Sequence, residues 1–272
     1  MSAPARGVRQ VGKARLYVED TGGDGPLIVF AHGLLMSTEM YRAQIAALRD
    51  RYRCVAFDFR GQGESPLAAS GYDMDTLAGD AAALVESLGA GPAHWVGLSM
   101  GGFVGIRLAA RRPELVRSLV LLDTAADPEP RRSARKYAAM LVLSRAVGVK
   151  PFIPTAMAAL FGTTWRRDPA RADERAAMRA TLRSRDPEGV RRATRGVIDR
   201  PPCVELLARI KVPTLVASGE EDTAITPARS RPLAAGIPGA RFELIPRAGH
   251  SSTIENPAAV TALITAHLAA IP

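Results

Sequence analysis

Cysteine is nearly absent. The 272 residues hold two, Cys54 inside an apolar run and Cys203 beside a proline pair, and neither has a partner at metal-ligand or redox-motif spacing. A disulfide framework is therefore not expected. Long apolar runs are missing too. No window of roughly 18 uncharged apolar residues occurs, so no transmembrane helix is expected, and MSAPARGVRQVGKARLYVED at the start has no apolar stretch of signal-peptide length. The expectation is a soluble, cytoplasmic protein without a membrane partner. Apolar residues nonetheless make up 47% of the chain, enough for a packed core, which sets aside disordered and collagen-like classes.

The formal charge of +9 raises nucleic acid as a partner, so its location matters more than its size. Between Asp127 and Arg200 lie 17 of the Lys and Arg residues but only 8 of the Asp and Glu, while the rest of the chain is balanced at 19 against 19. That basic segment has no zinc-finger, basic-zipper or RNA-recognition pattern and almost no interleaved aromatics. Solvated helix faces are the expected role of the surplus, and no nucleic acid is expected as a partner. An acidic substrate is the functional alternative.

Along the chain, short apolar runs bounded by turn residues alternate with helical periodicity. After a hairpin of Val8 to Val11 with Arg15 to Val18 come LIVFA (Leu27 to Ala31), RCVAF (Arg53 to Phe57), HWVGL (His94 to Leu98), SLVLL (Ser118 to Leu122), TLVAS (Thr214 to Ser218) and FELIP (Phe242 to Pro246). Such near-continuous apolar strands belong in a sheet covered on both faces. Helical patterns fall at Glu39 to Arg49, Met74 to Leu88, Met100 to Arg111, Ala228 to Ala235 and Pro257 to Ala270. The alternation predicts an α/β fold with a doubly wound, mostly parallel sheet. From Ala125 to Pro202 the rhythm breaks into helical stretches only, at Arg132 to Ala146, Pro154 to Phe161, Arg171 to Ser184 and Pro187 to Ile198. The division predicted is a core of residues 1–124 and 203–272 with an inserted helical cap, or lid, over 125–202.

Gly97-Leu98-Ser99-Met100-Gly101 follows a strand and opens a helix, the context in which a GxSxG turn projects its serine hydroxyl. Its glycines are needed where side chains would meet the adjoining strand and helix. The helix start also places N–H groups and positive dipole where an oxyanion would form. Ser99 is the candidate nucleophile. Of the four histidines, only His250 combines position after the last strand with the chain order such a site demands. The expected orienting acid is Asp222, in SGEEDT after the strand TLVAS, with Asp123 at the end of SLVLL as competitor and Glu220 and Glu221 as solvated turn residues. Backbone N–H groups of Met100 and of Leu34, in the loop AHGLL, are the expected oxyanion donors. His32 is expected to brace that loop.

Together, His32-Gly33, the stretch DFRGQGES from Asp58 to Ser65, the turn GLSMGG and Pro238-Gly239-Ala240 leading to Gly249-His250 resemble the α/β-hydrolase superfamily across nearly the whole chain outside the insertion. Within it, the elbow and the stretch from Pro213 to Pro257 are similar to carboxylesterases and the 3-oxoadipate enol-lactonase group, with cofactor-free haloperoxidases and perhydrolases nearby. Haloalkane dehalogenases and epoxide hydrolases use an aspartate where this chain has Ser99. The resemblance implies that Ser99 attacks the carbonyl of a small to medium ester or lactone, with His250 as base, Asp222 as its partner, and no metal or organic cofactor. It leaves peroxide-dependent chemistry on the same triad, or ligand sensing, as alternatives. The cap's apolar residues Met140, Leu141, Leu143, Phe152, Ile153, Met157, Leu160, Phe161 and Trp165 are expected to form mostly cap core, with a few lining the pocket. Oligomeric state is left open.

Overall fold

In the computed structural model, which describes residues 5–271, the apolar runs become eight strands. These are β1 (Ala5–Val11), β2 (Ala14–Asp20), β3 (Leu27–Ala31), β4 (Arg53–Phe57), β5 (Ala93–Leu98), β6 (Val116–Leu122), β7 (Thr214–Gly219) and β8 (Arg241–Ile245). They form one sheet in the order β1-β2-β4-β3-β5-β6-β7-β8. β2 runs antiparallel to β1 and β4, and the other neighbours are parallel. After β4 the chain crosses β3 to lay down β5, so the strand order reverses between β3 and β5. In open parallel sheets a ligand crevice forms beyond the carboxyl ends of strands at such a point.

Side chains alternate across each strand and so build two cores. Val29, Val55, Phe57, Trp95, Leu119 and Val216 pack on one face, while Ile28, Phe30, Val96, Val120, Leu215 and Ala217 pack on the other. The first face is covered by α2 (Met74–Leu88), α3 (Met100–Arg111) and α9 (Pro227–Gly236), the second by α1 (Arg42–Leu48) and α11 (Pro257–Ala269). Local signals set the ends of these helices. Asp73 accepts from Thr76 N–H at 2.8 Å to cap α2, which stops at Gly89 with φ 61°. The helical pattern at Glu39 to Arg49 resolves into a 3-10 turn, Thr38–Tyr41, followed by α1.

Between β6 and β7 stand α4 (Arg131–Val147), α5 (Ile153–Leu160), α6 (Thr163–Arg167), α7 (Ala172–Ser184) and α8 (Pro187–Ile198), with no strand among the described residues. α6 has no apolar repeat of its own and was not legible as a helix. Ile153, Met157, Leu160, Phe161 and Trp165 sink into the second core, with Phe161 and Trp165 stacked at 4.0 Å. Both cysteines are buried free thiols.

The turn from β5 into α3 is the tightest passage. A Cβ on Gly97 would lie 2.3 Å from the Gly101 carbonyl oxygen, and one on Gly101 would lie 2.0 Å from that of Ala31. Both obstacles are backbone and cannot step aside. Gly101→Ala is therefore expected to cost about 3 kcal/mol or more, seen in thermal denaturation as a Tm lower by roughly 6–12 °C.

Candidate active site

Ser99 sits between β5 and α3 with φ 52° and ψ −109°, a strained backbone for a residue with a side chain. Four hydrogen bonds hold it there. Its N–H donates to Leu122 O at 2.8 Å, and its carbonyl accepts from Gly102 N–H (2.9 Å), Phe103 N–H (3.0 Å) and the Thr124 hydroxyl (2.9 Å). Ser99 thereby stands beyond the carboxyl edge of the sheet, on the wall of a cavity of about 190 Å³ that also includes His250 and Leu34.

His250 and Asp222 come from loops after β8 and β7. The His250 Nδ1 lies 2.8 Å from Asp222 Oδ2, with both residues buried. Asp222 is fixed in turn by the N–H groups of Ala224 and Ile225, which donate to Oδ1 at 2.8 and 2.9 Å. With Nδ1 engaged, Nε2 is the nitrogen left for Ser99. Burial lowers the imidazole pKa, but the attraction and hydrogen bond of Asp222 outweigh it and raise the value from 6.5 to about 8. Among the described residues no hydrogen bond joins the Ser99 hydroxyl to the imidazole. Contacts of this kind often tighten only when substrate binds.

The expected oxyanion donors flank the serine. Met100 is the first residue of α3, and Leu34 follows Gly33 beyond β3. Neither N–H has an acceptor among the described residues, whereas the adjacent Leu35 N–H, at φ 70°, is taken by Gln62 Oε1 at 3.0 Å. His32 is fully buried, with Nδ1 2.7 Å from Gly33 O and Nε2 accepting from Phe59 N–H at 3.0 Å. Burial drives its pKa down to about 3, leaving a neutral ring that ties the Leu34 loop to the stretch DFRGQGES.

Asp123, the competing acid, stands apart from the imidazole hydrogen bond. It is fully buried at φ 48°, accepting from Gly219 N–H at 2.7 Å and from the Ser252 hydroxyl at 2.5 Å. It therefore joins the strand end leading to Asp222 with the segment following His250. Burial, with the nearby Asp222 charge, raises its pKa well above the usual carboxylate range. A neutral amide should replace such a group at little cost, and Asn tolerates positive φ. Asp123→Asn is expected to change unfolding free energy in urea by less than about 1 kcal/mol, and Asp123→Ala to lower it by about 2–4 kcal/mol by stranding two donors.

Several supporting residues carried no sequence signal. Glu221 is no solvated turn residue: it accepts from Thr164 N–H at 2.7 Å and from the Thr164 hydroxyl, tying α6 to the Asp222 loop. Glu255, buried in the short helix α10 (Ser252–Glu255), accepts from Gly162 N–H at 2.7 Å and Ser251 N–H at 3.0 Å. Five of the nine apolar cap residues named from sequence (Met140, Leu141, Phe152, Ile153 and Leu160) line the cavity, more than expected, while Leu143 is exposed.

A doubly wound sheet with a serine turn, a buried histidine–carboxylate pair and a covered cavity at its switch point defines a hydrolase. The profile described as "alpha/beta hydrolase fold" matches residues 26–257, and the chain belongs to that family. The protein named "Putative carbamate hydrolase RutD" from Pseudomonas savastanoi pv. phaseolicola is 32% identical, over 86% of this chain and 90% of its own. A thermophilic esterase from Thermogutta terrifontis superposes with a TM-score of 0.88 at 30% identity, covering 99% of both chains. The enol-lactonase from Burkholderia xenovorans LB400 superposes at 0.89 with 29% identity, covering 97% of this chain and all of that one (100%). Among the described residues no helix is long and apolar enough to cross a membrane.

Proposed function

We propose that this hydrolase cleaves carboxylic esters or lactones of small to medium size through an acyl-enzyme on Ser99. The observation that carries the reading is the 2.8 Å contact of Asp222 with His250, which shares the wall of one cavity with Ser99. In the first half-reaction the Ser99 oxygen bonds to the substrate carbonyl carbon as its proton passes to His250 Nε2. The carbonyl oxygen, now an anion, is held by the Met100 and Leu34 N–H groups. The C–O bond to the alcohol breaks, and His250 returns the proton to the departing oxygen. Water then attacks the acyl carbon, giving its proton to the same nitrogen, and the Ser99 oxygen leaves with that proton. Asp222 holds the ring orientation and offsets the imidazolium charge.

In this reading residues 1–124 and 203–272 form the catalytic body and 125–202 the cap that covers the cavity. A volume of about 190 Å³ equals about six water volumes, enough for a short acyl chain. The test is stopped-flow hydrolysis of p-nitrophenyl acetate with a chelator present. A burst of one equivalent of p-nitrophenol before a slower steady state is expected when deacylation limits turnover. Loss of turnover on chelation, or none on any short ester, would count against the proposal.

A further inference from the structure

The cap holds the chain's whole basic excess, yet among the described residues the cavity wall includes no Lys or Arg. Many of these cations lie on solvated helix faces, as the sequence suggested, Arg131, Arg132, Arg135, Arg145 and Arg183 among them, and others are held by the rest of the chain. Arg171 donates to the carbonyls of Ile254 and Glu255, Arg185 to that of Leu35, and Arg192 to those of Ala68 and Ala69. They fasten cap to body rather than receive a substrate anion. Arg185 shows what burial does to such a group, since desolvation lowers its pKa despite the acidic residues around it.

What the cavity presents instead is apolar surface from Phe103, Met140, Leu141, Phe152, Ile153 and Val197, with hydroxyls of Tyr137, Ser144, Thr155 and Thr194. Apart from His250, the charged side chain on the wall is Glu129. Its Oε2 accepts from Arg200 Nη1 at 3.0 Å, and Arg200, with a side chain only 2% exposed, lies behind it. The Arg200 guanidinium stacks 4.1 Å from the Phe103 ring centroid and donates to Val197 O at 2.8 Å. The wall therefore shows its carboxylate to a ligand and keeps the matching cation underneath.

We infer that the substrate is an uncharged ester with an apolar acyl group, and that Glu129 is the residue that rejects carboxylate-bearing esters. This rests on the serine-hydrolase reading above. A carboxylate entering the cavity loses its water and gains no cation in return, and it meets a fixed negative charge in surroundings of low dielectric. An added methylene, by contrast, leaves water for apolar wall and should raise kcat/KM roughly fourfold until the space is full. The acidic substrate that the arginine surplus would have suited is thus disfavoured by where those arginines point.

The experiment compares p-nitrophenyl acetate, butyrate and hexanoate with the mono-p-nitrophenyl ester of glutaric acid. In parallel, the serine is counted by stoichiometric phosphorylation with uncharged diethyl p-nitrophenyl phosphate. Expected are kcat/KM rising from acetate to butyrate and a value for the glutarate ester at least ~100-fold below butyrate, about 2.8 kcal/mol of discrimination. Glu129→Gln is expected to narrow that ratio at least ~10-fold, chiefly through KM of the anionic ester, because the Arg200 charge is then uncompensated. If that variant does not fold, wild-type inhibition by hexanoate and hexanamide takes its place, with hexanoate expected at least ~10-fold weaker. Equal rates for neutral and anionic esters with one serine phosphorylated, an unchanged ratio in folded Glu129→Gln, or equal inhibition would overturn the inference alone. Failure of Ser99 to be phosphorylated would overturn the serine-hydrolase reading beneath it.

Discussion

Ser99→Ala is expected to lower kcat for short-ester hydrolysis on the order of 10⁴- to 10⁶-fold while leaving Tm almost unchanged. Only the oxygen proposed to form the acyl bond is removed. The bonds that hold the turn run through the backbone of Ser99, not its side chain, so the fold has little to lose. Residual activity should come from the Met100 and Leu34 N–H groups and from binding in the cavity, both untouched by the change. Active-site titration and circular dichroism on the same preparation separate a chemical defect from a folding one. A folded variant that keeps more than about 1% of wild-type kcat would remove Ser99 from the reaction.

The second large effect is expected at Asp222 and takes the form of a pH profile. As the proposed base His250 must be neutral, and its pKa of about 8 leaves only about a tenth of the enzyme in that form at pH 7. Activity should therefore climb about 90-fold between pH 6 and pH 9, with its midpoint near 8. The linked stability runs the other way. A histidine whose folded pKa lies above its unfolded value of 6.5 favours the folded state fully below that pH and loses the benefit as pH rises through 8, about 2 kcal/mol in all. Asp222→Asn removes the attraction that outweighs burial, so the midpoint should fall below 6.5. The plateau should drop on the order of 10³- to 10⁴-fold, because the amide no longer holds the needed tautomer. An unmoved midpoint in kcat/KM would show that a group other than Asp222 sets the histidine's pKa.

Much of this site was legible because its parts are local. Gly97 and Gly101 frame Ser99 within one strand-turn-helix unit, and the collisions that a Cβ would suffer there follow from the chain's own geometry. Asp222 was harder to separate from Asp123. Both end apolar strands, and the difference lies in tertiary placement: Asp222 meets the imidazole at 2.8 Å, whereas Asp123 meets a hydroxyl and an amide. Glu221 and Glu255 were out of reach, since their partners Thr164 and Gly162 lie 57 and 93 residues away in the chain. Short elements such as α6 and α10 are held by those contacts rather than by any periodicity.

Sequence by itself determined the sheet, because alternating apolar runs and helical stripes can bury their surfaces together in few ways, and it determined the serine turn, because only one glycine-framed serine stands between a strand and a helix. The tertiary structure alone decided what the cavity looks like from inside. Charge counted along the chain made the cap basic, but folding left part of its arginines on solvated faces, directed others onto backbone carbonyls and carboxylates, and put mostly apolar side chains and the Glu129 carboxylate on the wall. Composition records how many charges a segment has. Which of them a ligand meets depends on side-chain directions set by packing between segments far apart in sequence.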